Sequence, residues 1–197
     1  MINYPNGKKI VYVDTKKKPV KVRKPVKAGN RGMSLESDIN DSNLYYLEKD
    51  LCLITKRPTP INVVKVDYAH GAKIIDAYFE KQSTTDYNGV YKSRYIDFEA
   101  KSTQSKTSLP LSNIPHQQVV HLEHVLKHGG IAFFIIEFAR RDEVYFIDAV
   151  DVINFIRAGD RQSMPYEFIK EKGELIKKGY HPRLDYLPII EKRYFLK

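Results

Sequence analysis

Residues 84 to 101 read TTDYNGVYKSRYIDFEAK. The second half alternates, with Tyr95, Asp97, Glu99 and Lys101 on one side and Ile96, Phe98 and Ala100 on the other. Strand side chains alternate between faces, so the apolar set predicts a core face and pins the register of the polar one. Residues two apart on one face stand about 7 Å apart. A carboxylate at 99 and an amine at 101 can then reach one phosphate and a metal bound to it. Asp86 lies upstream of Asn88-Gly89, which reads as a two-residue hairpin turn that would return it to the same spot. Hard oxygen ligands with open positions suit Mg²⁺, with Mn²⁺ as a substitute. Such an ion polarises a phosphoryl oxygen and lowers the pKa of bound water, while a lysine steadies developing negative charge. Spacing alone leaves a second reading open, a rigid strand face that is only solvated. An acid, one residue and a lysine also occur at Asp14-Thr15-Lys16, but no acid precedes that copy.

The elements that must position these groups read as an α/β chain. Ser34 is a good helix N-cap, with Glu36 and Asp38 in the first turn, where the helix dipole favours anions. Leu35, Ile39, Leu44 and Leu47 suggest an apolar stripe running to about Asp50. A short strand at 51–55 and a loop at 56–60 follow. Residues 61–82 are partly apolar on both alternating faces, which reads as a long hairpin-like excursion or an ordinary strand pair. The strand carrying the acids spans about 91–101, and a polar loop covers 102–114. A helix runs from Pro115 to His128 and ends at Gly129-Gly130. Ile131 to Phe138 is nearly continuously apolar, as expected of a strand covered on both faces. Residues 143–149 pair with it, 150–158 form a short helix, and Ser163 caps another that ends at Gly179. Leu184, Leu187, Ile189 and Ile190 look buried in the tail.

With 197 residues and 42% hydrophobic content the chain supports one ordinary domain with its own core. No apolar run reaches the roughly 20 residues of a membrane helix, and no apolar leader segment is evident. Cys52 is the single cysteine, which excludes an internal disulfide and suits a reducing, cytoplasmic setting. The charge of +9 is concentrated at one end. Residues 1–30 carry nine basic side chains, Lys8, Lys9, Lys16, Lys17, Lys18, Lys21, Arg23, Lys24 and Lys27, against Asp14 alone. This predicts a flexible cationic arm followed by a nearly neutral domain from 31. Such an arm neutralises phosphates through counterion release, or serves only as a solubilising tail.

Other candidates are weaker. His121, His124 and His128 share a helix face, but no nearby cysteine completes a zinc set and the one close acid, Glu123, points elsewhere, so a mixed surface is the expectation. Cys52 between Leu51 and Leu53 reads as a buried small residue. Arg140-Arg141 fits a solvated turn or a phosphate contact equally. Tyr68 and Phe79, in the excursion, are the aromatics most suited to stacking on exposed bases.

Asp86, then Glu99-Ala100-Lys101 on a strand, with Glu36 on a preceding helix, resembles the PD-(D/E)XK nuclease core. TTDYNG and YIDFEAK, together with NRGMSLE at 30–36, YPNGK at 4–8 and RLDYLPIIE at 183–191, resemble the RecU Holliday junction resolvase family over essentially the whole chain. The resemblance implies a restriction-endonuclease-like mixed sheet flanked by helices, with a projecting strand-pair stalk at about 61–82. It implies a homodimeric, Mg²⁺-dependent endonuclease, cytoplasmic and associated with DNA, that nicks symmetry-related strands of a four-way junction. Asp86 and Glu99 would be metal ligands, with Thr85 and Gln118 at the same metal site and Lys101 as transition-state stabiliser. Thr85 stands where the superfamily often has proline. Asp97 would share the catalytic face, holding Lys101 or a water, and Glu36 would be a secondary acid. Arg31, Tyr68, Phe79 and the arm cations Lys8, Lys9, Lys16, Lys17, Lys18, Arg23 and Lys24 would contact DNA. A two-fold protein presents two equivalent sites to an approximately two-fold junction, and the RecA recombinase is the implied protein partner. Two rival readings remain: a non-catalytic junction- or RecA-binding module, and a restriction-type duplex endonuclease on the same core.

Overall fold

The computed structural model describes residues 35–69, 71–79 and 84–196. The basic arm, Arg31 and the Ser34 cap lie outside the described residues. Helix α1 (Leu35–Glu48) leads into strand β1 (Leu53–Lys56), then β2 (Ile61–Asp67) and β3 (Lys73–Phe79). Strands β4 (Tyr87–Tyr91) and β5 (Arg94–Thr103) form a hairpin, followed by β6 (Ser108–Pro110), α2 (His116–Lys127), β7 (Ile131–Phe138) and β8 (Glu143–Asp148). The rest comprises α3 (Ala149–Ala158), β9 (Ser163–Pro165), α4 (Tyr166–Lys172), β10 (Glu174–Leu175), β11 (Lys177–Lys178), β12 (Leu184–Asp185) and α5 (Leu187–Tyr194).

Six strands make the central sheet in the order β1-β4-β5-β7-β8-β10. The sheet is mixed, because β5 and β7 run parallel while the other pairs are antiparallel. A parallel pair needs a crossover connection, and α2 lies in that connection between β5 and β7. Helices cover both faces, so β7 is apolar from Ile131 through Ile136 and buried throughout that run. On one face α1 and α5 pack against Ile96, Phe98, Phe133 and Phe146. Tyr87, Phe98, Phe133 and Phe146 stack there in a row across four strands, with centroids 4.8, 4.6 and 4.4 Å apart. On the other face α2, α3 and α4 cover Phe134, Ile136 and Ile147. Phe98 faces the first layer, so strand alternation turns Asp97 and Glu99 toward the second. The mixed α/β sheet flanked by helices is the architecture that the resemblance implied.

Several local expectations are corrected. Asn88-Gly89 is no turn: both residues lie inside β4, paired with Asp97 and Ile96 on one side and Thr55 and Ile54 on the other. Glycine is required at 89 by close approach, because a Cβ there would stand 2.0 Å from the Leu53 carbonyl oxygen. The hairpin turns instead at Lys92-Ser93, whose positive φ values of 46° and 63° are those of a two-residue turn that matches the right-handed twist of its strands. The stripe of α1 is rotated. Leu44 and Leu47 are exposed, while Leu35, Ile39, Ser42, Asn43 and Tyr46 are buried. Two polar residues are accommodated there because Leu184 N–H donates to Ser42 Oγ at 2.8 Å and the Tyr186 hydroxyl donates to Asn43 Oδ1. The helix expected from Ser163 to Gly179 is only α4, stopped at Gly173, where a Cβ would meet the Ile169 carbonyl oxygen at 2.5 Å. The tail contains α5. Within 61–82, β2 and β3 pair with each other and with no other described strand, and every residue of β3 is exposed. No helix among the described residues is long and apolar enough to cross a membrane.

Candidate active site and metal centre

The β4–β5 register brings the acids together. Tyr87 pairs with Phe98, so the residue before the one meets the residue after the other. Asp86 N–H donates to Glu99 Oε2 at 3.1 Å, and Ala100 N–H points at Asp86 Oδ2 at 3.4 Å. Glu99 Oε1 accepts from Lys101 Nζ at 2.6 Å and from Gln118 Nε2 at 2.8 Å. Gln118 reaches this point because α2 starts with it in the first turn, directly above β5 and β7. Glu99 is only 1% exposed. Burial pushes its pKa up to about 8; the Lys101 ammonium opposes the rise and the Asp86 carboxylate adds to it.

The residues present fit a hard divalent cation. Gln118 is 4% exposed, and its Oε1 is buried with no hydrogen-bond partner. A buried amide oxygen left without a donor costs about 1–3 kcal/mol, which a cation or ordered water at that oxygen would offset. Asp86, Glu99 and Gln118 together supply oxygen donors only. Among the described residues no group of three or more His, Cys, Asp or Glu side chains gathers as a metal cage. Such a partial set, completed by water and phosphate oxygens, is how Mg²⁺ is usually bound.

Thr85 and Asp97 fall in a neighbouring cluster. Asp97 is fully buried; Thr85 Oγ1 donates to its Oδ1, and Arg57 Nη2 and the Tyr95 hydroxyl donate to its Oδ2 at 2.6 and 2.7 Å. His121 Nε2 lies 2.9 Å from the same Oδ2. Thr85 thus bonds Asp97 while its backbone leads directly into Asp86. The face expected to be either solvated or a metal site is therefore buried, and divides into two clusters. Glu36 is exposed and pairs with Lys56 of β1. Arg31 and the arm lysines, with Arg23, lie outside the described residues. Tyr68 and Phe79 are 75% and 78% exposed, but sit near opposite ends of the β2–β3 hairpin, where Ile61 pairs with Phe79 and Asp67 with Lys73.

Sequence reasoning missed Arg57 and Tyr95 as partners of Asp97. Arg57 lies in the loop after β1, and no periodicity links position 57 to 97. His121 carried a usable signal, since it is three residues from Gln118 and so shares its helix face. His121, His124 and His128 line an open cavity of about 320 Å³ with Tyr95, Val125 and Gly130. Cys52 is buried, and burial raises its thiol to about 11. Arg141 lies over the Tyr166 ring at 3.8 Å and donates to the Lys106 carbonyl, so the turn that holds it is packed.

Comparison with known proteins bears on the family of the chain. The family described as RecU, Recombination protein U, matches residues 30–192. A protein of Bacillus mycoides named Holliday junction resolvase RecU is 48% identical over 202 residues, covering 98% of each chain. Its namesake in Bacillus cytotoxicus is 47% identical over 199 residues, again covering 98% of each. A solved structure of Archaeoglobus fulgidus Hjc, described as a Holliday junction resolvase, superposes with a TM-score of 0.41 at 13% identity, covering 73% of this chain and 95% of that one. The last likeness is too distant to carry weight. The family match, with near-complete coverage at close to half identity, places the chain in the RecU family.

Proposed function

We propose that this protein is a divalent-metal-dependent endonuclease that resolves four-way DNA junctions by paired nicks, in the cytoplasm and on DNA. The observation that carries the reading is the convergence of Asp86, Lys101 and Gln118 on the buried Glu99, in a chain of the RecU family. The Asp86 and Glu99 carboxylates and the Gln118 carbonyl hold the cation, for which Mg²⁺ is the best fit and Mn²⁺ a substitute. When bound, the ion polarises the scissile phosphate and makes a bound water acidic. Glu99 would hold the cation as a deprotonated carboxylate, as a metal ligand must be. Lys101 Nζ, held by Glu99 Oε1, supplies a fixed positive charge for the negative charge that grows on the phosphate. The β2–β3 hairpin is the stalk that enters the open centre of the junction, with Tyr68 and Phe79 facing DNA bases and the arm cations and Arg31 on phosphates. The domain boundary near residue 31 and a homodimer with two equivalent active sites complete the reading. The RecA recombinase is its proposed protein partner.

Cleavage of a synthetic four-way junction, with and without Mg²⁺, tests this directly. Wild-type protein should nick symmetrically and only with metal. Glu99→Gln should bind the junction with little change and cleave at least about 10³-fold more slowly, as expected when a metal ligand is lost. Robust cleavage in a chelator, or faster cleavage of linear duplexes than of junctions, would overturn the reading. Tight binding with no cleavage of any substrate would point to a non-catalytic module.

A further inference from the structure

One carboxylate of the catalytic strand is held by four side chains drawn from the segments around the metal site. A carboxylate offers about four lone-pair sites. Asp97 meets Arg57, Tyr95 and His121 at Oδ2, which is saturated, and Thr85 at one of the two sites of Oδ1. Each partner lies on a segment that also carries part of the metal site. Thr85 directly precedes Asp86, and Asp97 precedes Glu99 by two positions on one strand face. His121 is a turn beyond Gln118 on α2. Arg57 acts twice: its backbone N–H donates to the Asp86 carbonyl at 2.8 Å, while its guanidinium bonds Asp97 and the Tyr95 hydroxyl. Its Nη1 also lies 3.4 Å from His121 Nε2. Arg57 and Asp97 are 17% and 0% exposed at the side chain, so solvent screens this pair little.

We propose that Asp97 and Arg57 are positioning residues, clamping the Thr85-Asp86 segment, β5 and α2 so that Asp86, Glu99 and Gln118 converge on one cation. The inference rests on the reading that those three residues hold the metal. Tyr95 and His121 complete the clamp. Partners behind metal ligands set ligand orientation, and their loss typically costs about 10- to 100-fold in metal affinity.

The test is Mn²⁺ binding to the DNA-free protein, counting free Mn²⁺ by electron paramagnetic resonance, beside cleavage as a function of Mg²⁺. Asp97→Asn and Arg57→Gln should weaken Mn²⁺ binding about 10- to 100-fold and raise half-saturating Mg²⁺ by a similar factor, with kcat largely restored at saturating metal. Arg57→Lys should recover only part of the loss, because a point charge cannot serve Asp97, Tyr95 and His121 together. His121→Ala should show a smaller shift that added imidazole reverses, since the cavity beside His121 is open and large enough to admit it. Folded Asp97 and Arg57 variants, checked by circular dichroism, that bind Mn²⁺ as tightly as wild type would overturn the inference. If those variants do not fold, Tyr95→Phe and His121→Ala decide it, and unchanged Mn²⁺ affinity in both overturns it. Wild-type protein that binds Mn²⁺ but cleaves no junction would count against the functional reading alone, and the variants' affinities would still decide the clamp.

Discussion

Glu99 shows how burial tunes a single residue. In the metal-free protein its carboxyl titrates near 8, against an ordinary value of about 4.5. At neutral pH it therefore holds a proton that the unfolded chain would have released. Between about pH 4.5 and 8 the folded state binds more protons than the unfolded state, so Glu99's stabilising share is full below that window and is lost as pH rises through it. Thermal melts of metal-free protein should show Tm falling from pH 5 to pH 8, and Glu99→Gln should flatten that slope. Metal uptake runs the other way. Mg²⁺ must displace the proton, so its affinity should rise toward pH 8 and then level off. Calorimetry at pH 6.5 in buffers of different ionisation enthalpy should register a proton released per ion bound, and at pH 9 almost none.

At the scale of elements, the β4–β5 hairpin delivers the acids and its neighbour β1 seals it. Gly89 is where β1 comes closest, with the Leu53 carbonyl oxygen 2.0 Å from any Cβ placed there. Gly89→Ala must push β1 away, and should destabilise the protein by about 1–3 kcal/mol or more, as overpacking does. Urea denaturation measures this. The displaced strand would also shift Arg57, which follows β1, so the metal affinity should fall with the stability. The β2–β3 hairpin behaves oppositely. It buries almost nothing against the described body, so Tyr68→Ala and Phe79→Ala should leave Tm within a few degrees of wild type. Each should weaken junction binding by about 1–3 kcal/mol if it stacks on an exposed base. A gel-shift titration against a four-way junction, with a linear duplex as control, distinguishes stacking from general attraction.

For the whole molecule, the uneven charge matters most. Nine basic residues and one acid lie in residues 1–30, while the remaining 24 basic and 23 acidic residues nearly cancel. Salt-dependent affinity should therefore reside in the arm. Removing residues 1–30 should flatten the plot of log affinity against log salt by several units, bounded by about 8 if all nine cations sit on phosphates at roughly 0.9 each. Cleavage at low salt and saturating protein should persist, because the proposed metal ligands and the residues that position them all lie beyond residue 30. A truncated protein with an unchanged salt slope would assign the phosphate contacts to the folded domain.

The sequence by itself determined the local and chemical facts. Alternation along 95–101 defines two faces, the continuous apolar run at 131–136 defines a central strand, and Glu99-Ala100-Lys101 with Asp86 defines a nuclease-like set of groups. These are properties of neighbours on one chain, and the geometry of a strand or helix turns spacing into direction. The sequence also misled where local chemistry had two uses. Asn88-Gly89 looked like a turn, but the glycine is needed to admit the β1 backbone, and Lys92-Ser93 make the turn. Tertiary structure alone decided that the polar face of β5 is buried beneath α2, which raises Glu99 and leaves Gln118 Oε1 without a donor. It alone gave Asp97 partners of its own, by bringing Arg57 from 40 positions away and His121 from 24 onto one carboxylate. Burial and long-range pairing depend on which distant segments close over a strand, and no spacing within the strand encodes them.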